Sequence, residues 1–163
     1  MIRTIAYLMM LAAVAVSCTT RPLQLTDFKE LGISKGLQDG VELSLDMEDT
    51  ANIVMLQICM QINNSQVIND NQTIHVAIET ISPDSIRYKE SIELPLNVHN
   101  NGANYALAGG IRNYQWPYRR NIRNHTPGRW TFTIIPQGKT GEGTIYNEII
   151  GVGISCRKEE LEQ

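Results

Sequence analysis

Apolar and polar residues alternate with a period of two along much of this chain, and this alternation constrains the fold more than any other feature. Residues 41–47 place an apolar side chain at every odd position and a polar one between them, which is typical of a half-buried strand. Residues 53–62 carry apolar side chains on one face and a mixture on the other. That second pattern predicts a central strand with both faces covered.

Four further segments continue the strand pattern: residues 74–79, 92–96, 130–134 and 149–156. Pro95 lacks a donor for the ladder, so we expect it on an edge strand or at a strand end. Gly151 and Gly153 predict a bulge or a close backbone approach. Helical signals are confined to one turn at residues 26–31 and to the tail.

These patterns predict an all-β protein. We expect a single antiparallel β-sandwich of about seven strands, Ig-like or jelly-roll-like. The length of 163 residues suits one folded domain. The predicted regions are a signal peptide (1–17), a lipidated N-terminal linker (18–40), the β-sandwich domain (41–157) and a C-terminal tail (158–163).

The N-terminus indicates export. Arg3 precedes an apolar run at residues 5–16, and small residues follow it. That run is shorter than the ~20 apolar residues that cross a bilayer. Ala15-Val16-Ser17-Cys18 resembles the lipobox of bacterial lipoproteins, whose cysteine is acylated, for example with palmitate. We therefore predict a lipid anchor on Cys18; the alternative is an ordinary signal peptide with a cysteine near its end.

Charge and cysteine content bound the class of protein. The chain has 14 Lys and Arg against 17 Asp and Glu, a net charge of −3, which argues against a nucleic-acid partner. Besides Cys18 there are two cysteines, Cys59 and Cys156, and their spacing matches no zinc motif. Two alternatives remain open for this pair: one disulfide in an oxidising compartment, or two small buried core residues.

One segment, residues 109–130, has distinct chemical character. It holds five arginines and four aromatic residues and has no acidic residue. Arginine and aromatic side chains are enriched in recognition surfaces, and aromatic rings can stack on sugars. The alternative is a surface loop whose aromatic rings lie over the core. The candidate binding patch is Arg112, Tyr114, Trp116, Tyr118, Arg119 and Arg120, and a functional patch requires that these side chains be exposed together.

Motifs for catalysis are not found in the sequence. The three histidines lie far apart, and no GxSxG or P-loop is present. Asn69-Asp70-Asn71 lacks the spacing of a calcium loop and is typical of a polar turn. We therefore expect no catalytic residues, no metal and no cofactor.

Five short stretches resemble the gliding-motility lipoprotein GldH family of the Bacteroidetes. They are LQICMQINN (56–64), VAIETISP (76–83), LAGGI (107–111), PGRWTFTI (127–134) and IIGVGI (149–154). The resemblance spans most of the chain after Cys18. It implies a non-enzymatic envelope lipoprotein that acts as an accessory or assembly component of the gliding or linked protein-secretion machinery, and it supplies no catalytic residues.

The expected function is thus the binding of other envelope proteins at the outer membrane. The rival is a carbohydrate-binding lipoprotein that uses the aromatic and arginine segment at residues 112–130. Exposed coplanar rings would favour a glycan, whereas a flat apolar patch would favour a protein partner.

The residues after Cys18 generate a prediction about orientation. No aspartate and no acidic run follows this cysteine, which by resemblance to known lipoprotein sorting favours the periplasmic face of the outer membrane. We expect protease added to intact cells to leave the protein uncut, as judged by immunoblotting. Loss of the protein under these conditions would place it on the cell surface instead.

Overall fold

The alternating segments pair into two antiparallel sheets in the computed structural model, which describes residues 24–33, 35–97 and 104–159. The predicted signal peptide, Cys18 and residues 160–163 lie outside these ranges. The elements are β1 (Gln24–Glu30), β2 (Val41–Met47), β3 (Ile53–Asn63), β4 (Thr73–Ile81), β5 (Arg87–Pro95), β6 (Asn104–Ala108), β7 (Ile111–Arg123), β8 (Gly128–Pro136), the short helix α1 (Ile145–Glu148) and β9 (Ile149–Lys158).

One sheet has five strands in the order β1-β9-β3-β7-β6, and the other has four in the order β2-β8-β4-β5. The all-β prediction is confirmed, with a sandwich-like arrangement of two antiparallel sheets. The expected number of strands was wrong, because the described part of the chain contains nine and not seven. The central place predicted for β3 is confirmed. Pro95 was predicted on an edge strand or at a strand end, and both hold, since it is the last residue of the edge strand β5.

The inner faces of the two sheets form one hydrophobic core. Side chains directly opposite each other in an antiparallel ladder share a face, so Ile58 of β3 and Ile154 of β9 point to the same side, and both are fully buried. They share one cluster with Ile78 of β4 and Phe132 of β8 from the other sheet. The alternation seen in the sequence therefore corresponds to an inside and an outside of the sandwich.

Strand β1 is a correction to two predictions. Residues 26–31 were expected to form a helical turn, but residues 26–30 lie in an extended strand that pairs with β9 from Gln24↔Arg157 to Glu30↔Gly151. The range 18–40, predicted as a linker, therefore contributes a strand, and its Leu37 is fully buried. A single helical turn has little intrinsic stability, so pairing with an available edge determines the conformation.

Gly151 and Gly153 of β9 provide the space that β1 needs. The Phe28 ring lies over both glycines, and a Cβ built on Gly151 would lie 2.5 Å from its Cζ. A Cβ on Gly153 would meet the ring at 2.5 Å and the backbone oxygen of Asp27 at 2.9 Å. The close approach predicted at these glycines is thus made by an aromatic side chain and a neighbouring strand.

The two glycines give a test of how β1 is held. We expect Gly151→Ala to lower the free energy of unfolding by about 1–3 kcal/mol, because the added methyl group overpacks the Phe28 ring. When Phe28→Ala is added to Gly151→Ala, most of the stability lost through the methyl group should return, because the ring is gone. Phe28→Ala should not restore the stability of Gly153→Ala, because the added methyl group still meets the Asp27 carbonyl. Urea denaturation of the single and double variants measures both couplings. Equal coupling at the two positions would contradict this account.

Candidate functional site

All six residues of the candidate patch lie on β7, where some of their side chains point into the core and others to the surface. Tyr114 and Trp116 are buried, with 1% and 3% of their surface exposed. They lie opposite Met60 and Ile58 on the inner face, and their rings stack with centroids 4.9 Å apart and planes 4° apart. The prediction that the patch residues form one exposed surface is therefore wrong, because these two rings belong to the core.

Arg112 holds the connection between β3 and β4. Its Nε donates to Asn64 Oδ1 at 2.7 Å, and its Nη1 donates to Asp70 Oδ1 at 2.5 Å and lies 3.3 Å from the Tyr114 hydroxyl. Only 17% of the Arg112 side chain is exposed. The guanidinium is thus committed to the Asn64–Asp70 turn and to the buried tyrosine.

Tyr118 and Arg119 reach across to the other sheet. The pairing of β7 with β3 shifts register here, since Leu56 lies opposite Arg119 while Gln57 lies opposite Pro117. This bulge gives β7 an additional residue, Tyr118. The Tyr118 hydroxyl and Arg119 Nη2 both donate to Glu90 Oε1 of β5, each at 2.5 Å.

The Glu90 contacts make a polar seam between β7 and β5. The Arg119 guanidinium lies 5.2 Å from the centre of the Tyr118 ring. Burial, and next the hydrogen bond to Glu90, raise the pKa of Tyr118 to about 12. Trp116 Nε1 adds a bond of 2.8 Å to the Pro95 carbonyl. Arg120, the remaining member of the candidate patch, is exposed and is not part of this seam.

A cleft of about 500 Å³ lies beside this seam. Trp116, Pro117 and Tyr118 form one wall, and Ile92 and Leu94 contribute to the other. Of the six candidate residues, the cleft therefore brings together Trp116 and Tyr118, while Arg112 and Arg120 are not among the residues that line it.

The two cysteines are free thiols on opposite faces of the five-stranded sheet. Cys156 lies opposite Leu56 and points into the core, whereas Cys59 lies opposite Gly153 and its Sγ is 3.8 Å from Ser155 Oγ on the outer face. The structure thus contradicts the disulfide alternative. Burial raises the pKa of both thiols, that of Cys156 to about 11.

Strand β6 forms an edge of the five-stranded sheet with an unusual composition. Asn104–Ala108 contains no charged residue and no proline, and Ala106, Leu107 and Ala108 are exposed. Leu107 lies opposite Arg112, on the face that is buried further along the sheet, yet 60% of its surface is exposed. The four-stranded sheet therefore does not cover the inner face at this position.

The other sheet edges are protected. At one side of the sandwich the Asp27 carboxylate of β1 accepts a hydrogen bond of 2.7 Å from the Ser44 backbone N–H of β2. The β5 edge carries Arg87, Lys89 and Glu93 and ends at Pro95. Charges and prolines at sheet edges oppose pairing with other chains. Within the part of the chain that the structure describes, no strand pairs with the free side of β6; we call this strand the β6 edge (Asn104–Ala108) and take it as the candidate functional site.

The second notable feature is a cavity of about 460 Å³ at one end of the sandwich, which we call the end cavity. It opens between the start of β1 and the end of β2, and residues of the β2–β3 connection line its mouth. The residues that surround the whole cavity are Leu25, Asp46, Met47, Glu48, Asp49, Val54, Asn124 and Cys156. The sequence analysis did not find it, because its residues come from five separate stretches of chain.

Comparison of the chain with protein-family models, with curated proteins and with solved structures finds no match of any of the three kinds. Within the described ranges, no three His, Cys, Asp or Glu side chains converge as a metal site would require. The same part of the chain has no helix with the length and hydropathy needed to cross a membrane.

The raised pKa of Tyr118 gives a pH-dependent test of the seam. Because the neutral hydroxyl is favoured in the folded state, its contribution to stability is complete below pH ~10, the ordinary tyrosine pKa, and is lost as pH rises through about 12. We expect Tyr118→Phe to cost about 1 kcal/mol at neutral pH. Its difference from the parent chain should shrink over that alkaline range in urea denaturation.

Tyr88→Phe is the matched control, since Tyr88 lies on β5 with 54% of its surface exposed. This substitution should leave the free energy of unfolding unchanged throughout. If Tyr118→Phe has no effect at neutral pH, the hydrogen bond to Glu90 does not stabilise the contact between the sheets.

Proposed function

We propose that this chain is a lipid-anchored envelope protein that acts by binding another envelope protein, and not as an enzyme. The observation that carries the proposal is the β6 edge, a strand without charge or proline whose Ala106, Leu107 and Ala108 are exposed. An unpaired strand presents a row of backbone N–H and C=O groups that an extended segment of a partner can pair with. Binding by strand addition is therefore the mode that this surface suits best.

The exposed side chains support the same proposal. Leu107 and the alanines on either side of it offer apolar contact on both faces of the strand. Backbone hydrogen bonds would supply much of the affinity, and a partner's side chains could cover Leu107 where the opposite sheet does not. Solvent exposure of a large apolar residue on a core-facing position is otherwise unfavourable.

Cys18 supports the location that we propose. The first described residue, Gln24, follows it by six positions, and a fully extended chain of that length spans about 20 Å. An acyl anchor on Cys18 would therefore hold the sandwich close to a membrane surface, which we propose is the periplasmic face of the outer membrane. The resemblance to the GldH family is consistent with an accessory role in gliding or secretion.

The carbohydrate-binding alternative has less support. It depended on an exposed platform of coplanar rings, and the coplanar pair that β7 does form, Tyr114 and Trp116, is buried. Tyr118 is half-buried, and its hydroxyl is occupied by Glu90. The observations thus favour a protein partner over a glycan.

A charge placed on the β6 edge tests the proposal. We expect affinity purification from membranes, with the anchor intact, to recover the same envelope proteins with the parent chain and with Tyr88→Lys. Leu107→Lys should lose them, because a lysine on an edge strand disfavours strand addition. Tyr88→Lys is the matched control, since it adds the same charge to the edge of the other sheet at a similarly exposed position.

Two outcomes would count against the proposal. Equal recovery with both lysine variants would show that the partner does not use the β6 edge. Recovery of no protein, together with retention on a glycan array that Tyr118→Ala abolishes while the sandwich stays folded, would support the carbohydrate-binding alternative. Circular dichroism of each variant shows whether the sandwich is still folded.

A further inference from the structure

The end cavity lies away from the β6 edge and has a different chemical character. Leu25 of β1, Met47 of β2, Val54 of β3 and Cys156 of β9 supply its apolar walls, and the last three are at least 94% buried. Leu25 and Cys156 lie directly opposite each other in the ladder and therefore face the same space between the sheets. The volume of about 460 Å³ falls in the range of small-molecule sites, about 300–1,000 Å³.

The walls are fixed before any ligand enters. Asn124, which is buried at the side of the cavity, donates from Nδ2 to the Met47 carbonyl at 2.7 Å and accepts from the Thr126 N–H at 3.1 Å. These bonds tie the end of β2 to the chain after β7. Because the polar side chain of Asn124 already has hydrogen-bond partners, a ligand inside the cavity would make mainly apolar contacts.

The mouth of the cavity is acidic. Asp46, Glu48 and Asp49 line it, and no lysine, arginine or histidine is among the described residues that do so. Asp46 forms a two-point pair with Arg129, at 2.9 and 3.1 Å, which compensates its charge. Asp49 accepts bonds from the backbone N–H groups of Ala51 and Asn52, and Glu48 is exposed.

The lining excludes several ligand classes. Arg129 compensates Asp46 and the charge of Lys158 acts on Asp49, so the exposed carboxylate of Glu48 is the group at the mouth that would repel an anion. Among the described residues that line the cavity there is no ring on which a flat aromatic ligand could stack, because they supply aliphatic chains and sulfur to the walls. A narrow aliphatic chain fits these walls, and a positive group at its end fits the mouth.

We propose that the end cavity is a binding site for a linear aliphatic molecule with a cationic head group, of the alkylamine class. The alkyl chain lies between the sheets against Leu25, Val54 and Cys156, and the ammonium group lies at the mouth beside Glu48 and Asp49. This site shares no residue with the β6 edge, so ligand binding in the cavity and partner binding at the edge can be tested separately.

Cys156 at the wall of the cavity reports on occupancy. The full chain in membrane nanodiscs is treated with iodoacetamide in mildly alkaline solution, and alkylation of Cys156 and Cys59 is followed by peptide mass spectrometry. Cys59 on the opposite face of the sheet is the internal reference for effects of the additive on the membrane or on the reagent. Octylamine, octanol and octanoate are the probes, because they share a chain length and differ in the charge of the head group.

We expect octylamine to slow alkylation of Cys156 relative to Cys59, by about tenfold at ten times its half-protecting concentration. Octanol should protect at higher concentration, and octanoate should not protect. Glu48→Gln should raise the half-protecting concentration of octylamine by about threefold, the magnitude of a surface charge contact, and leave that of octanol unchanged. Glu42→Gln is the matched control, since Glu42 is exposed on β2, the strand that ends just before Glu48, but does not line the cavity.

Any of three results would overturn the proposal. Protection by octanoate equal to that by octylamine would remove the charge preference. A rate at Cys156 that none of the probes changes would show that the cavity admits no alkyl chain. An unchanged octylamine response in Glu48→Gln would mean that the acidic mouth does not contact the head group.

Discussion

The burial of two apolar sheet faces against each other is the constraint on which the rest of this structure depends. Every second residue of the inner strands enters the shared core, so that Ile58 and Ile154 of one sheet meet Ile78 and Phe132 of the other. One sheet has five strands and the other has four, so the smaller sheet does not cover the whole inner face of the larger one, and β6 at its edge extends beyond the covered area. The uncovered position of Leu107 on β6 is a direct consequence of that mismatch.

Polar contacts hold the two sides of the sandwich, where the apolar core ends. On one side Asp27 reaches from β1 to the Ser44 backbone of β2, and on the other Tyr118 and Arg119 reach from β7 to Glu90 of β5. Each contact satisfies groups that an edge would otherwise leave to solvent. Such bonds contribute modestly to stability, but they determine which edges are protected.

The two candidate binding features lie where these contacts stop. The β6 edge is beyond the seam at Glu90, and the end cavity opens where β1 begins and β2 ends. One offers backbone hydrogen bonds to an extended partner, whereas the other offers an enclosed apolar volume with an acidic mouth. The fold can present both because neither lies in the tightly packed middle of the core.

The alternation of residues determined, without any coordinates, that the chain is all-β, that β3 is central and that Pro95 lies on an edge strand or at a strand end. Those features follow from local period and from the missing donor of proline, which are properties of a single strand. Strand β1 was missed because its polar residues are compatible with a helical turn, whereas its extended conformation depends on pairing with β9 and on the space over Gly151 and Gly153.

The candidate site shows the same division. The sequence singled out the arginines and rings of residues 112–120, but period alone does not say which face of a strand is covered. Pairing with Met60 and Ile58 places Tyr114 and Trp116 inside, and a bulge turns Tyr118 toward Glu90. The edge status of β6 and the end cavity depend on contacts between residues distant in the sequence, so only the tertiary structure decided them.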